Sequence, residues 1–266
     1  MVPEVVFPTI VVDGAPRELE VAVGGVTVRG TSVAARVTAL AVPELGVALD
    51  IGRLSPSIAA QPEVLVSHTH LDHFSAVLGY LNLRARFWQE EPPRLAVPSE
   101  VAEPLKAALR LMPGVESVRK RLDLDAAVVG VAAGEAVRLP GGRAEAFAAD
   151  HGCPALGWRL YRGDATRPTL VFAGDGSVEP FLARPELLDG AVAVVECTYL
   201  DDGLRIAARI ARHAHLKDWL ELAPRLTCDA LVLAHLPVGR RTDLEAAAAP
   251  LAAALGAPVV LWVDPD

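Results

Sequence analysis

Short apolar runs alternate with turn signals in the first part of the chain and with helical stretches after it. Val5 to Val12, Leu19 to Val23 and Val26 to Arg29 read as strands separated by Asp13-Gly14 and Gly24-Gly25. A hairpin follows, in which Val37 to Val42 and Val47 to Ile51 flank Pro43-Glu44-Leu45-Gly46. Val64 to Ser67 looks like a buried strand, and the spacing of Ala76, Val77 and Tyr80 predicts a helix that opens at Asp72 and runs to about Leu83. Leu95 to Val97 is the next strand, and Ser99 is placed to cap a helix that Pro113-Gly114 ends. Val128 to Val131 and Ala136 to Leu139, around Gly134, are strands, as are Ala144 to Ala148, Leu156 to Tyr161 and Thr169 to Ala173. Three more strands follow at Ala191 to Val195, Ala230 to Ala234 and Val259 to Val263. Helices are expected over Ile206 to Arg212, Lys217 to Arg225 and Thr242 to Leu255. Strands followed by helices in both halves predict an α/β fold with two facing sheets and helices outside.

Composition narrows this picture. The chain has 266 residues, 52% of them hydrophobic and 22% charged, which supplies ample core material. α/β folds of roughly 200 to 250 residues are routinely one domain, so one domain over residues 1–266 is expected. A net charge of −8 argues against broad electrostatic binding of nucleic acid, so an anionic substrate must be steered by local groups. Cys153, Cys197 and Cys228 form no CxxC pair, which fits a reducing, cytoplasmic setting. The start lacks a basic region and is broken by Pro3 and Pro8, so no signal peptide is read there. The longest apolar run, Ala246 to Val263, is interrupted by Pro250 and Pro258, so no membrane span is expected.

The candidate chemistry lies just past the strands. Val64 to Leu78 reads VLVSHTHLDHFSAVL, which delivers His68, His70, Asp72 and His73 at a strand end and helix start. Three of the seven histidines of the chain fall here, interleaved with a carboxylate, which weakens the plain alternative of solvated loop histidines. Neutral imidazoles with a carboxylate suit zinc and similar divalent ions. Asp50, His151, Asp175, Glu196 and His235 also follow apolar strands. In α/β sheets, sites form outside one set of strand ends, so these residues are expected to converge. Asp50 with Gly52 reads alone as turn chemistry. Close in sequence to the cluster, it is a candidate to orient a metal-bound histidine through the other ring nitrogen.

Several segments together resemble the metallo-β-lactamase superfamily and, within it, the ribonuclease Z (tRNase Z) branch. They are Gly30-Thr31-Ser32, Asp50-Ile51-Gly52, HTHLDH at His68 to His73, DHGCPALGWR at Asp150 to Arg159, AGDG at Ala173 to Gly176, ECTYLDD at Glu196 to Asp202, and His235. The resemblance implies the αββα sandwich and a two-metal site. His68, His70 and His151 would hold one zinc, Asp72, His73 and His235 the other, and Asp175 would bridge them. Manganese or iron are substitutes this donor set accommodates. A hydroxide shared by the metals would be the nucleophile, which places Asp72 among the catalytic residues as well as the ligands. A histidine oriented by a glutamate would protonate the leaving oxygen. Glu196 matches the glutamate. The family's His-Ser-Thr reads His213-Ala214-His215 here, so His213 is the first choice and His215 the second.

Two departures bear on substrate. The interval from His151 to Asp175 is 24 residues (175 minus 151), filled by two strands and a turn, so there is no room for the tRNA-gripping arm inserted there in the branch. The family's His-Phe-Ser reads His235-Leu236-Pro237, and Arg240 and Arg241 follow, where they could bind a substrate phosphate or carboxylate. The function implied is a dinuclear zinc-dependent phosphodiesterase acting on RNA or a nucleotide. The alternatives are a cyclic-nucleotide phosphodiesterase, which Leu71 within HTHLDH resembles, a hydrolase of small carbon esters such as a lactonase or thioesterase, and a metal-binding scaffold without chemistry. A homodimer through helices flanking the site is expected from relatives.

Overall fold

The structure is a computed structural model that describes residues 3–11, 18–112, 114–239 and 241–264. Val5 to Val12 is not one strand. It forms β1 (Val5–Val6) and β2 (Thr9–Val11), which join different sheets. Pro8 lies at the break, where its missing N–H and fixed φ suit a crossing better than a ladder. Asp13 and Gly14 lie outside the described residues.

The first sheet continues with β3 (Glu18–Val23), β4 (Val26–Val33), β5 (Val37–Val42), β6 (Val47–Leu49), β7 (Glu63–Leu65), β8 (Arg94–Pro98) and β9 (Val128–Val131), in the order β2-β3-β4-β5-β6-β7-β8-β9. It is antiparallel as far as β6 and parallel from β6 to β9. Its helices are α1 (Pro56–Ala60), α2 (Leu71–Phe74), α3 (Val77–Phe87), α4 (Ser99–Leu111), α5 (Glu116–Arg121) and α6 (Leu124–Ala127). The second sheet contains β10 (Ala136–Leu139), β11 (Gly142–Ala148), β12 (Leu156–Arg162), β13 (Leu170–Phe172), β14 (Val192–Glu196), β15 (Ala230–Ala234) and β16 (Val259–Leu261), with β1 at its far edge. Here β10 to β13 are antiparallel and β13 to β16 parallel. The helices α7 (Glu179–Ala183), α8 (Arg205–Ala211), α9 (Leu216–Leu222) and α10 (Arg241–Leu255) belong to this half.

Three apolar clusters make the layers. Val28, Leu40, Leu49 and Leu65 of the first sheet meet Trp158, Leu160, Val194, Val232 and Trp262 of the second. Residues of opposite parity point outward: Val195 and Leu233 pack with Trp219, Leu222 and Leu251, while Val64 and Val97 pack with Tyr80, Leu81 and Leu109. Burial on both faces is why these strands read as continuous apolar runs. The expected αββα sandwich is therefore present.

Other expectations are refined. Val128 to Val131 and Ala136 to Leu139 are strands as expected, and because β9 and β10 belong to different sheets, Gly134 marks the crossing between them. The helix opening at the histidine cluster is two helices. Between α2 and α3 the chain is tied to the end of β6: Ala76 N donates to Ile51 O, and Ser75 Oγ donates to Gly52 O. Ser99 does not cap α4. It is the first helical residue, with Pro98 before it, and its hydroxyl donates to Glu100.

Candidate metal centre

Parallel strands carry their C-terminal ends to the same rim, and so does β11, two antiparallel steps from β13. Asp50 follows β6, the His68 to His73 segment follows β7, and His151 follows β11. Asp175 follows β13, Glu196 ends β14, and His235 follows β15. One rim thus collects donors from both sheets, as the strand pattern predicted.

Asp50 is fully buried with φ 59°, a left-handed conformation uncommon for a residue with a side chain. Its Oδ1 accepts from Ser67 N at 2.6 Å, and its Oδ2 accepts from Ser67 Oγ at 2.7 Å and faces His73 Nδ1 at 2.7 Å. Because Ser67 Oγ donates to Asp50, it is left to accept from His68 Nδ1, 3.0 Å away. Asp50 and Ser67 therefore direct the Nε2 atoms of His73 and His68 inward. His151 is set in the same sense, with Nδ1 3.3 Å from the carbonyl of Arg212, and so is His235, with Nδ1 2.9 Å from Thr198 Oγ. Asp175 stands beside Gly174, whose φ is +65° and whose absent Cβ would lie 2.6 Å from Ser67 Cβ, so glycine is required at that turn.

The inward atoms are closely spaced. His70 Nδ1 and His151 Nε2 are 3.1 Å apart, and His235 Nε2 is 3.2 Å from Asp72 Oδ2. Asp175 Oδ2 is 3.3 Å from His73 Nε2 and 3.4 Å from His235 Nε2. Donors about 2.1 Å from a tetrahedral zinc would stand roughly 3.4 Å from each other. His68, His70 and His151 form one triad, Asp72, His73 and His235 a second, and His68, His73 and Asp175 a third between them, each with its ligand atoms within 4.8 Å of one another. His68 Nε2 and His73 Nε2 are buried without a hydrogen bond. Buried polar atoms are rarely left so, and a divalent cation is a partner that fits these imidazoles and carboxylates.

The electrostatics agree. Burial, reinforced by the neighbouring His73, pushes His68 down to about 2, so its imidazole is neutral. Burial also lowers His73, but the carboxylates of Asp175 and Asp50 outweigh it and raise it well above the ordinary histidine value. Burial would raise Asp72, yet His235 and His73 bring it down to about 2. Asp175 is likewise held low by His73, His235 and His68 against its burial. The same electrostatic position that holds a proton on His73 favours a metal ion in its place.

Beside this cluster, His213 Nδ1 is 2.7 Å from Glu196 Oε1, which also accepts from Gly176 N. Glu196 Oε2 accepts from Thr198 N and from Thr198 Oγ at 2.7 Å, so one carboxylate serves both His213 and, through Thr198, His235. The His213 and His235 rings lie stacked, 5.9 Å apart at 8°. Burial pulls His213 down, but the hydrogen bond and charge of Glu196, with Asp175, raise it above its usual value.

The second choice, His215, does not reach the site. It is fully buried at the start of α9, where Nδ1 accepts from Lys217 N and Nε2 donates to the carbonyl of Asp201. Both ring nitrogens are committed, so it is a helix cap rather than an acid. Arg240 lies outside the described residues. Arg241 is the first residue of α10, and its side chain is not described either.

Three contributors escape the sequence pattern. Ser67, Thr198 and Arg212, whose Nη1 donates to His151 O at 2.8 Å, orient ligand-type side chains without being ligand types themselves. Only their positions next to His68 and Glu196 and just before His213 hinted at this. Among the described residues, no helix is long and apolar enough to cross a membrane.

The profile of the Beta-lactamase superfamily domain matches residues 52–236. The chain is 24% identical over 240 residues to the chloroplastic tRNase Z TRZ2 of Arabidopsis thaliana, covering 78% of this chain and 66% of that protein. It is 30% identical over 138 residues to the nuclear ribonuclease Z of Triticum aestivum, covering 52% of this chain and 76% of that one. Among solved structures it resembles the metallo-beta-lactamase fold protein YhfI of Bacillus subtilis, with TM-score 0.65, 14% identity and coverage of 87% and 93%. It also resembles human tRNase Z, short form, with TM-score 0.62, 17% identity and coverage of 89% and 95%. The chain belongs to the metallo-β-lactamase superfamily, in the ribonuclease Z-like branch of its metal-dependent hydrolases.

Proposed function

We propose that the chain is a dinuclear zinc phosphodiesterase acting on RNA or nucleotide phosphodiesters. His68, His70 and His151 would hold one ion and Asp72, His73 and His235 the other, with the Asp175 carboxylate shared between them. The observation that carries this reading is the pair of buried, unbonded nitrogens, His68 Nε2 and His73 Nε2, set among carboxylates and imidazoles at ligand spacing. Two divalent cations there supply a Lewis-acid clamp for a phosphoryl group and acidify water.

The chain's own residues would do the rest. Asp50, Ser67 and Thr198 fix the tautomers of His73, His68 and His235. Glu196 accepts the Nδ1 proton of His213 and its charge favours the imidazolium form, whose second proton, at Nε2, can pass to the leaving oxygen. That pair favours a phosphodiester over a thioester or an activated carbon ester, whose leaving group needs no acid. The seven-residue span 163 to 169 between β12 and β13 carries no arm, so grip on a substrate depends on groups near the rim.

The test is hydrolysis of bis-p-nitrophenyl phosphate by zinc-loaded and manganese-loaded protein, together with metal content per chain. Two equivalents of metal and activity that Asp175→Ala abolishes are expected. Activity that survives the substitution would sink the assignment.

A further inference from the structure

On β11 and β12, Arg143, Glu145 and Phe147 stand opposite Tyr161, Arg159 and Gly157. They share the outer face of the second sheet, because Ala144, Ala146, Trp158 and Leu160 between them point into the central cluster. Phe147 packs against Phe181 of α7, with ring centroids 6.0 Å apart, and lies over Gly157, where a Cβ would collide with its ring. Beyond Phe147 the helical cover ends and a cavity of about 310 Å³ opens, with Gly134, Glu145, Arg159, Arg184 and Leu187 in its walls.

The two arginines there have no counter-charge. Arg159 Nε is buried without a hydrogen bond, and its Nη groups, which keep accessible surface where the residue lines the cavity, have no acceptor either. Arg184, exposed at the end of α7, likewise has no ion pair or side-chain hydrogen bond among the described residues. The neighbouring carboxylates are engaged elsewhere. Glu145 Oε2 accepts from Tyr161 Oη at 2.7 Å, and its Oε1 lies 3.5 Å from Arg143 Nε. Glu135 Oε2 accepts from Ala132 N at 2.8 Å. Two unpaired cations at one cavity repel each other, and an anion seated between them turns that repulsion into attraction.

We propose that this cavity binds the phosphate group of a small molecule, at a site separate from the metal centre. None of the residues of the three metal triads lines it, so the inference stands apart from the function proposed above. Guanidinium groups donate paired, charge-assisted hydrogen bonds to phosphate oxygens, and a tetrahedral dianion offers enough oxygens for two of them. The volume is near the lower end for small-ligand sites, roughly 300 to 1,000 Å³, which suits a phosphate with a compact body attached.

Calorimetric titration of the metal-loaded protein with inorganic phosphate and with adenosine 5′-monophosphate tests this. Phosphate also binds divalent centres, so variants of the cavity and of the metal site are titrated side by side. Arg159→Gln should weaken one binding event by about tenfold to a hundredfold, as expected when a charged donor is lost, and leave metal content per chain unchanged. Arg184→Gln, at an exposed position, should weaken the same event by about threefold or more, and decides the matter if R159Q does not fold. Asp175→Ala should leave that event in place. Affinities equal to wild type in the folded arginine variants, or a single event that Asp175→Ala abolishes, would overturn the site. Weakening seen only with a single-stranded oligonucleotide would assign the arginines to a nucleic-acid strand and overturn the small ligand.

Discussion

Asp50 Oδ2 lies 2.7 Å from His73 Nδ1, with both side chains buried at the end of β6 and the start of α2. The same carboxylate accepts both the amide and the hydroxyl of Ser67, so one aspartate orients two imidazoles. Asp50→Ala should lower zinc affinity by about 10 to 100-fold, the usual cost of losing a group that orients a ligand. Competition with a chromogenic chelator measures it. An unchanged affinity would separate Asp50 from the metal site.

His213 and His215 should part cleanly on substitution. His213→Ala is expected to lower kcat by about 100-fold or more on an RNA substrate, whose leaving oxygen needs a proton, and far less on bis-p-nitrophenyl phosphate. His215→Ala should instead cost about 1 to 3 kcal/mol of stability, because it removes a helix cap and empties a buried position. Thermal unfolding beside kinetics on both substrates distinguishes the two outcomes. Equal loss of RNA cleavage in both variants would contradict the different roles assigned to them.

Glu63 on β7 provides a pH dependence away from the site. Burial pushes it up from 4.5 to about 7, against the pull of Arg94, whose Nε lies 3.2 Å from its carboxylate. The folded protein therefore holds this proton more tightly than the unfolded chain. Stability from this group is full below pH 4.5, falls as pH rises to about 7, and is level above. The whole change is about 3 kcal/mol. Glu63→Gln should remove that slope and raise Tm by a few degrees at pH 8, with little change at pH 5. A melting series from pH 4 to pH 8 in which wild type and variant run parallel would rule this out.

Metal should also register as stability. A divalent ion present at about a hundred times its Kd adds roughly 2.7 kcal/mol to a protein that binds it only when folded. Zinc should therefore raise Tm, and a chelator should reverse the shift. His68→Ala should blunt the response, since it removes a donor common to two of the triads. Calorimetric scans with and without zinc test this, and an identical Tm would count against a built metal centre.

How much of this was legible in the sequence depends on what each residue does. His68 to His73, His151, Asp175 and His235 could be read because metals take few residue types and strand ends place them predictably. Their burial and the 3 Å spacing of their donors could not be read, because both depend on the two sheets facing each other. His213 and His215 differ by two positions and share chemistry. Only the pairing of Tyr199 with His215, which sinks the latter beneath α9, tells them apart. Ser67 and Thr198 were invisible because hydroxyl residues are common near turns. That β9 and β10 part to different sheets could not be read, because local pattern carries no information on which sheet receives each strand.

The donors divide between the halves of the sandwich: His68, His70, Asp72 and His73 come from the first sheet, and His151, Asp175 and His235 from the second. Across the middle, the layers otherwise meet mainly through apolar side chains such as Leu40 and Trp158. Ions seated at the rim would therefore rivet the halves together at one edge. Stripping them would loosen that edge first, so proteolytic nicking of metal-free protein should begin in the segments that frame it, after β7 and after β15.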